Sequence, residues 1–527
     1  MILVMNEALK NIVIVGGGTA GWLTAGIVAA QHNSHLPDGV SITLIESPDI
    51  KPIGVGEGTW PTMRNTLEKI GISEDDFFRC TDASFKQGSQ FIGWNTGQIN
   101  DSYYHPFIAP HGFGQTNISA NWQQLNNHIP FAHAISFQPY LCDHGCAPKQ
   151  QQTPEYAGVA NYGYHLNAGK FSALLQQHCI EKLGVQHISD DVIKVNGEIE
   201  ENITSVTTKR NGDISAQLFV DCSGSKSILL GQHYQVPFIS KKNILFNDTA
   251  LAVQVPYSSP DAPIASHTIS TAQKAGWIWD IGLPTRRGIG YVYASDYLTD
   301  SEAETTLRDY LKQDLPEQII NETVIRKISF TPGHREKFWH KNCVAVGMAA
   351  GFLEPLEASA LALVELSANM IAKELPANMS IIDITAKRFN QRFHYRWQRI
   401  IEFLKLHYLL SKRTDSQYWR DNQSAESVPQ RLQELIKLWR FQAPSYNDFS
   451  EIEEIFPAAS YQYILYGMGF LTEKRSTSTH YDNTALAEKY AVENRQLCEK
   501  YLAGLPKNRQ LIDHILARGN NNNVRSI

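Results

Sequence analysis

The run NIVIVGGGTAGWLTAGIVAA spans Asn11 to Ala30 and decides the fold class. Its opening, Ile12 to Val15, is a short β-branched stretch of the kind that forms buried parallel strands. It ends in Gly16-x-Gly18-x-x-Gly21, and Trp22 to Ala30 follows as a tightly packed helix. One glycine makes a tight turn, one lets backbone approach a pyrophosphate, and one lets helix and strand pack closely. The helix N-terminus then offers unpaired N–H groups to phosphate. A glycine-rich turn with no ligand would carry the same triplet. What favours a dinucleotide is the next strand, SITLIES, which brings Glu46 about 25 residues downstream. An acid there suits a ribose 2′-hydroxyl and disfavours a 2′-phosphate.

Two later segments bear on which dinucleotide. LFVDCSGSKSIL (218–229) is an apolar strand running into Asp221, Ser223 and Gly224. NCVAVGMAAGFLEPLE (342–357) holds another buried strand, Val344 to Val346, ending at Gly347 and Gly351. Both resemble the strand-ends by which FAD-dependent monooxygenase-type folds return to their cofactor. No second GxGxxG module is present for a nicotinamide. The expected class is α/β, or α+β in detail: a Rossmann-like FAD-binding fold with a further module.

Composition narrows the partners. The 527 residues suit about two to four domains or one interlocked unit. A net charge of −6 and the lack of a basic cluster argue against nucleic acid or an anionic membrane. No apolar stretch reaches the roughly 18 residues of a membrane span, and no cleavable leader is evident. The seven cysteines are sparsely spaced, which suits a reducing compartment. A cytoplasmic protein is expected. Cys142 and Cys146 flank Asp143 and His144 in CDHGC, but no second pair at similar spacing follows. That reads as an ordinary loop, and no metal is expected.

A second stretch raises a chemical question. In DASFKQGSQFIGW (82–94), Lys86 is the only charged side chain between Asp82 and Asp101. As one strand, it would put Ser84, Lys86, Gly88 and Gln90 on one face, opposite Phe85 and Phe91. A lysine in so apolar a setting has its charged form desolvated, which draws its pKa down. Alone, the segment favours a snorkelling structural lysine. In EPLEASALALVEL (354–366), Pro355 suggests a helix start, which puts Glu357 and the N–H groups of Ser359 and Ala360 in its first turn. Alone, Glu357 is a plain helix-dipole carboxylate.

Taken together, GGGTAGW, IGVGEGTWP (53–61), DASFKQGSQFIGW, GWIWDIGLPTRRGIGYVYAS (276–295) and GFLEPLEAS (351–359) resemble the flavin-dependent halogenases, the tryptophan-halogenase-like family. The resemblance implies that FAD, as FADH2, is held by Gly16, Gly18, Thr19, Ala20, Gly21, Glu46, Val55, Gly56, Asp221, Gly347 and Leu356. It implies that chloride or bromide binds at Ser359 and Ala360. Hypohalous acid made there would be carried to the substrate by Lys86, as a haloamine or by hydrogen bonding, with Glu357 orienting it or taking the arene proton. It also implies a separate NAD(P)H-dependent flavin reductase. Oligomeric state stays open, a homodimer included.

YYHPF (103–107) resembles the pocket segment that sandwiches an indole, which assigns His105 and Phe107 to substrate. Two departures stand out. Ala358-Ser359-Ala360 replaces the Ser-Thr-Gly of many relatives, which leaves the preferred halide open. Gly282 replaces the proline that usually ends W-x-W-x-I-P, here after Trp277 and Trp279. Those tryptophans either keep substrate off the flavin or pack a core.

From residue 380 the pattern changes. Phe389, Phe393, Trp397, Ile400, Ile401, Leu404 and Tyr408 fall at helical spacing, and 380–527 reads as a mainly helical substrate-side module beside a 1–379 flavin-binding module. The tail RGNNNNVRSI reads as disordered. No residue there is assignable to the amine and carboxylate of free tryptophan. The rival readings are an aromatic hydroxylase of the same flavin fold, which would not need Lys86, and a non-catalytic flavin-binding redox protein.

Overall fold

A computed structural model describes residues 8–50, 56–98, 100–125, 128–473, 479 and 482–522, with side chains to residue 518. Val55 lies outside the described residues. The chain forms two compact units, each assembled from three segments. One unit comprises residues 1–82, 166–241 and 331–397; the other comprises 83–165, 242–330 and 398–527.

The first unit is built on a six-stranded sheet. Its order is Trp339–His340, Cys343–Ala345, Leu218–Asp221, Asn11–Val15, Ser41–Glu46, Gln186–Ser189. All neighbours are parallel except the first pair. Asn11–Val15 therefore sits inside the sheet, and its residues Ile12 to Val15 are all buried. Helix Thr19–Gln31 follows at once, buried from Gly21 to Ala29. Strand, turn, helix and strand match the sequence reading within two or three residues. The later strand expected at Val344 to Val346 forms one residue earlier, at Cys343–Ala345.

The second unit holds a seven-stranded sheet of order Arg326–Ser329, Thr249–Val255, Arg287–Tyr293, Gly276–Gly282, Thr268–Gln273, Gly88–Ile92, Ser102–Pro106. Every described element from residue 379 onward is helical. The expected apolar series lies on helix Ile382–Leu409, and each of its seven members is buried. The boundary expected after residue 379 falls inside the first unit's last segment. Helices beyond 397 join a sheet unit, so they form no module by themselves. The tail departs from expectation in part: helix Asn508–Asn522 carries the chain through Gly519, and residues 523–527 lie outside the described ones.

The lysine segment is two strands, where the sequence suggested one. Ser84–Lys86 pairs with Gly163–Leu166, whereas Gly88–Ile92 pairs with Ser102–Pro106. The break follows from Gly88, whose φ is +151° and whose added Cβ would lie 2.5 Å from the His105 carbonyl oxygen. The shared face of Lys86 therefore does not continue to Gln90.

Candidate active site

In the first unit the glycine turn is tightly built. Gly16 has φ +118°, and a Cβ there would meet the Cys222 carbonyl oxygen at 2.1 Å. At Gly21 a Cβ would meet the Gly16 carbonyl oxygen at 1.8 Å, so the helix packs straight onto the turn. Gly18 differs: nothing of the chain lies within 4 Å of its Cβ position. It caps helix Thr19–Gln31 with no side-chain hydrogen bond to the helix amides. Two glycines are thus required by the chain itself, and the third is exposed, with open space where a Cβ would stand.

Glu46 ends its strand against this turn, since a Cβ at Gly17 would lie 2.1 Å from the Glu46 carboxyl carbon. Burial raises its pKa, opposed by His187, whose Nε2 lies 3.2 Å from Oε2. Gly347, with φ +68°, faces Ala20: its added Cβ would approach the Ala20 Cβ to 2.7 Å. Gly56 also has positive φ, and Leu356 is fully buried. Asp221 works locally. Its buried carboxylate accepts from the amides of Ser223, Leu229 and Leu230 at 3.1, 3.0 and 2.9 Å, and from the hydroxyls of Ser223 and Ser227. It shapes the loop after its strand.

Around Glu357 the structure corrects the expected helix start. A single 3-10 turn covers Leu356–Ala358, and the α-helix Ser359–Lys373 begins after it. Glu357 (φ +63°) and Ala358 (φ +56°) are both left-handed, a conformation costly for residues with a Cβ. Proline at 355 therefore opens a kinked turn. The Trp60 indole N–H donates to the Glu357 carbonyl oxygen at 2.7 Å. Glu357 itself is 7% exposed. Two turns along the helix, Glu365 accepts from Thr66 Oγ1 at 2.6 Å and from Thr62 Oγ1 at 3.2 Å. Burial pushes the Glu365 carboxyl up to about 7. Sequence reasoning missed Trp60 and Glu365, although Glu365 is the only charged residue between Glu357 and Lys373. The lone-charge signal that singled out Lys86 was present there too.

In the second unit Lys86 is 1% exposed, and its Nζ lies 5.4 Å from the centre of the half-buried Phe107 ring. The Phe107 amide donates to the Gln87 carbonyl oxygen at 3.1 Å, which ties the two segments together. His105 stands opposite Ser89 in the strand pair and is buried against Phe403, Tyr463 and Phe456, with ring centres 5.6, 6.2 and 6.5 Å away. Phe403 and Phe456 stack at 3.8 Å. The structure thus places Lys86 beside Phe107 and sets His105, two residues before Phe107, against an aromatic wall.

Trp277 and Trp279 are buried on strand Gly276–Gly282. Trp277 packs near Trp94, with ring centres 6.2 Å apart, and Trp279 lies across Gly290, whose added Cβ would sit 2.1 Å from the indole. Core packing accounts for both side chains within the unit. A Cβ on Gly282 would meet the Tyr257 hydroxyl at 2.8 Å, so the missing proline leaves room for that tyrosine.

No cluster of metal-ligating side chains occurs among the described residues, and Cys142 and Cys146 are buried free thiols. No described helix is long and apolar enough to cross a membrane.

A parallel sheet whose first strand ends in a glycine turn at a helix N-terminus, with an acid at the end of the next strand, is the arrangement of a dinucleotide-binding fold. The profile of the tryptophan halogenase family matches residues 11–483. A tryptophan 6-halogenase of Streptomyces toxytricini is 33% identical over 500 residues, covering 91% of this chain and 93% of that protein. A tryptophan halogenase from Shewanella frigidimarina has a crystal structure that superposes with a TM-score of 0.94, at 50% identity, over 98% of this chain and 99% of that one. A flavin-dependent halogenase from Brevundimonas sp. BAL3 superposes with a TM-score of 0.83, at 30% identity, over 96% and 99%. The chain belongs to the tryptophan halogenase family and is a flavin-dependent halogenase.

Proposed function

We propose that this enzyme uses FADH2, O2 and a halide to generate hypohalous acid, and that Lys86 and Glu357 deliver the halogen to an electron-rich arene of the indole class. The observation that carries the reading is Lys86 itself: a buried lysine whose Nζ stands 5.4 Å from the centre of the Phe107 ring. Reduced flavin, once bound, supplies with O2 the oxidising equivalent that converts halide to HOX. Gly16, Gly18, Thr19, Ala20, Gly21, Glu46, Gly56, Asp221, Gly347 and Leu356 form or shape its site, with Val55 in the same motif. Gly18 supports this through its place: it is exposed and caps the N-terminus of helix Thr19–Gln31, where a phosphate would meet free helix amides.

The halide is assigned to Ser359 and Ala360. Left-handed Ala358 followed by right-handed Ser359 turns successive N–H groups toward one concavity, a backbone form that suits an anion. The helix N-terminus adds its dipole. Lys86 then holds HOX through its amine, as acceptor of halogen or as hydrogen-bond donor. Glu357 orients the species or accepts the arene proton. His105 and Phe107 bracket the flat substrate, with Phe403 and Phe456 behind His105. A separate NAD(P)H-dependent reductase is the source of FADH2, consistent with the absence of a second GxGxxG module in the sequence.

The test is mass spectrometry of an indole reaction supplied with FAD, a flavin reductase, NADH, air and bromide or chloride. Wild type is expected to give a product with the halogen isotope pattern, and Lys86→Ala to give none while flavin reoxidation continues. An oxygen mass gain in both proteins would instead make the enzyme a hydroxylase.

A further inference from the structure

Lys86 has a titratable neighbour that its own segment does not reveal. Strands Ser84–Lys86 and Gly163–Leu166 run antiparallel, with Ser84 opposite His165 and Lys86 opposite Gly163. Directly opposed side chains leave an antiparallel pair on the same face, so Ser84, Lys86 and His165 share one. His165 is the diagonal neighbour of Lys86, at a spacing of roughly 7–8 Å that a long side chain spans. His165 is fully buried. Its Nε2 lies 2.8 Å from Thr268 Oγ1, and its Nδ1 has no hydrogen-bond partner. Burial, then the charge of Lys86, then His267 hold its pKa well below the ordinary histidine value. The titratable groups facing it are therefore Lys86 on the paired strand and His267 ahead of strand Thr268–Gln273. Ser84 is neutral and donates to the Gly282 carbonyl oxygen at 2.5 Å.

Resting on the halogenase reading above, we propose that His165 is a positioning residue that shares one proton with Lys86: on the amine while it carries no halogen, on the imidazole while the amine is halogenated. Two cations on one buried face repel, so the pair holds one charge at a time. In the tautomer whose Nε2 donates to Thr268, Nδ1 is the bare acceptor, and a buried acceptor without a partner is costly to leave so. The step balances. Lysine ammonium, HOX and neutral His165 give the N-halo amine, water and the His165 imidazolium. An N–X bond forms and the O–X bond breaks; one amine proton leaves with the hydroxide as water, and the second moves to His165. When halogen passes to the arene, the arene proton and the imidazolium proton restore the ammonium. HOX is the only oxidant needed.

The first test needs no turnover. The full-length protein, labelled at histidine, is titrated by NMR, with His165 assigned through His165→Gln. Lys86→Met is expected to raise the His165 pKa by about one unit or more; an unchanged value overturns the proposal. The second test measures halogenated arene formed per flavin oxidised, and HOX trapped in solution, across pH. His165→Gln keeps a hydrogen-bonding side chain but cannot titrate. It is expected to lose about tenfold in product per flavin, with more trapped HOX, and His165→Phe should match it. Wild-type yield and pH profile in His165→Gln would reduce His165 to a structural role. If wild type makes no halogenated product, the halogenase chemistry fails, and the NMR titration still decides the shared proton.

Discussion

The Trp60 indole N–H sits 2.7 Å from the carbonyl oxygen of Glu357, the first of two consecutive left-handed residues. A side chain from the motif after the glycine turn thereby pins the backbone of the candidate catalytic carboxylate. Replacing Trp60 with Phe keeps most of the ring and removes the donor. The expected cost is about 1–3 kcal/mol of stability for the carbonyl left unpaired. Halogenation should fall about tenfold, equivalent to ~1.4 kcal/mol in the barrier. Paired thermal melts and product yields check this; an unchanged yield would separate the clamp from the chemistry.

The glycine turn provides an internal control. Gly21→Ala puts a methyl into the Gly16 carbonyl oxygen and should destabilise the protein with or without flavin. Gly18→Ala meets nothing in the chain. Its melting temperature without flavin should equal wild type, while its flavin Kd, read by fluorescence quenching, should rise tenfold or more. Equal Kd values would place the flavin phosphates elsewhere.

Glu365 predicts a pH signature. Its folded-state pKa is raised from the ordinary 4.5 to about 7, so the folded protein binds this proton more tightly than the unfolded chain. The resulting stabilisation is complete below 4.5 and is lost as pH rises through 7. Urea unfolding at steps from pH 4.5 to 8 should show wild-type stability declining through this window. Glu365→Gln should remove on the order of 3 kcal/mol of that decline. Parallel profiles would mean that Glu365 titrates normally.

Gly290 supplies the surface on which Trp279 lies. Gly290→Val cannot be accommodated without moving the indole, and overpacking of this kind costs about 1–3 kcal/mol. Urea unfolding measures the loss, and a red-shifted tryptophan emission should accompany it. A variant with unchanged stability and emission would show that the ring has somewhere else to go.

How much of this was legible beforehand depends on the kind of signal. The nucleotide turn was read almost to the residue, because β-branched strand, glycines, helix and acid each have a composition that local chemistry dictates. Lys86 was visible through its isolation among uncharged neighbours. The break at Gln87 was not, because a glycine in a strand pattern does not announce a φ of +151°. The left-handed pair at Glu357 and Ala358 was hidden more deeply: both are ordinary helix residues, and proline before them points to the wrong helix start. Only Trp60 and the surrounding packing account for that turn. His165 was beyond reach for another reason. Its closeness to Lys86 comes from strand register across nearly eighty residues, which no local pattern encodes. The expected 379/380 boundary follows the change in composition, whereas the break between the two compact units falls after residue 397.

The six-stranded sheet also governs how the protein comes into being. Its strands are drawn from residues 11–15, 41–46, 186–189, 218–221, 339–340 and 343–345. On a ribosome, the opening strand emerges early and pairs with the second, but the sheet stays incomplete until residue 345 has left the exit tunnel. Between its strands the chain emits stretches belonging to the other unit. Neither unit can be released as one uninterrupted piece by truncation, and the nascent chain carries apolar parallel strands with open edges for most of its synthesis. Yield in a heterologous host should therefore respond more to translation speed and chaperone supply than to codon-neutral changes at the surface.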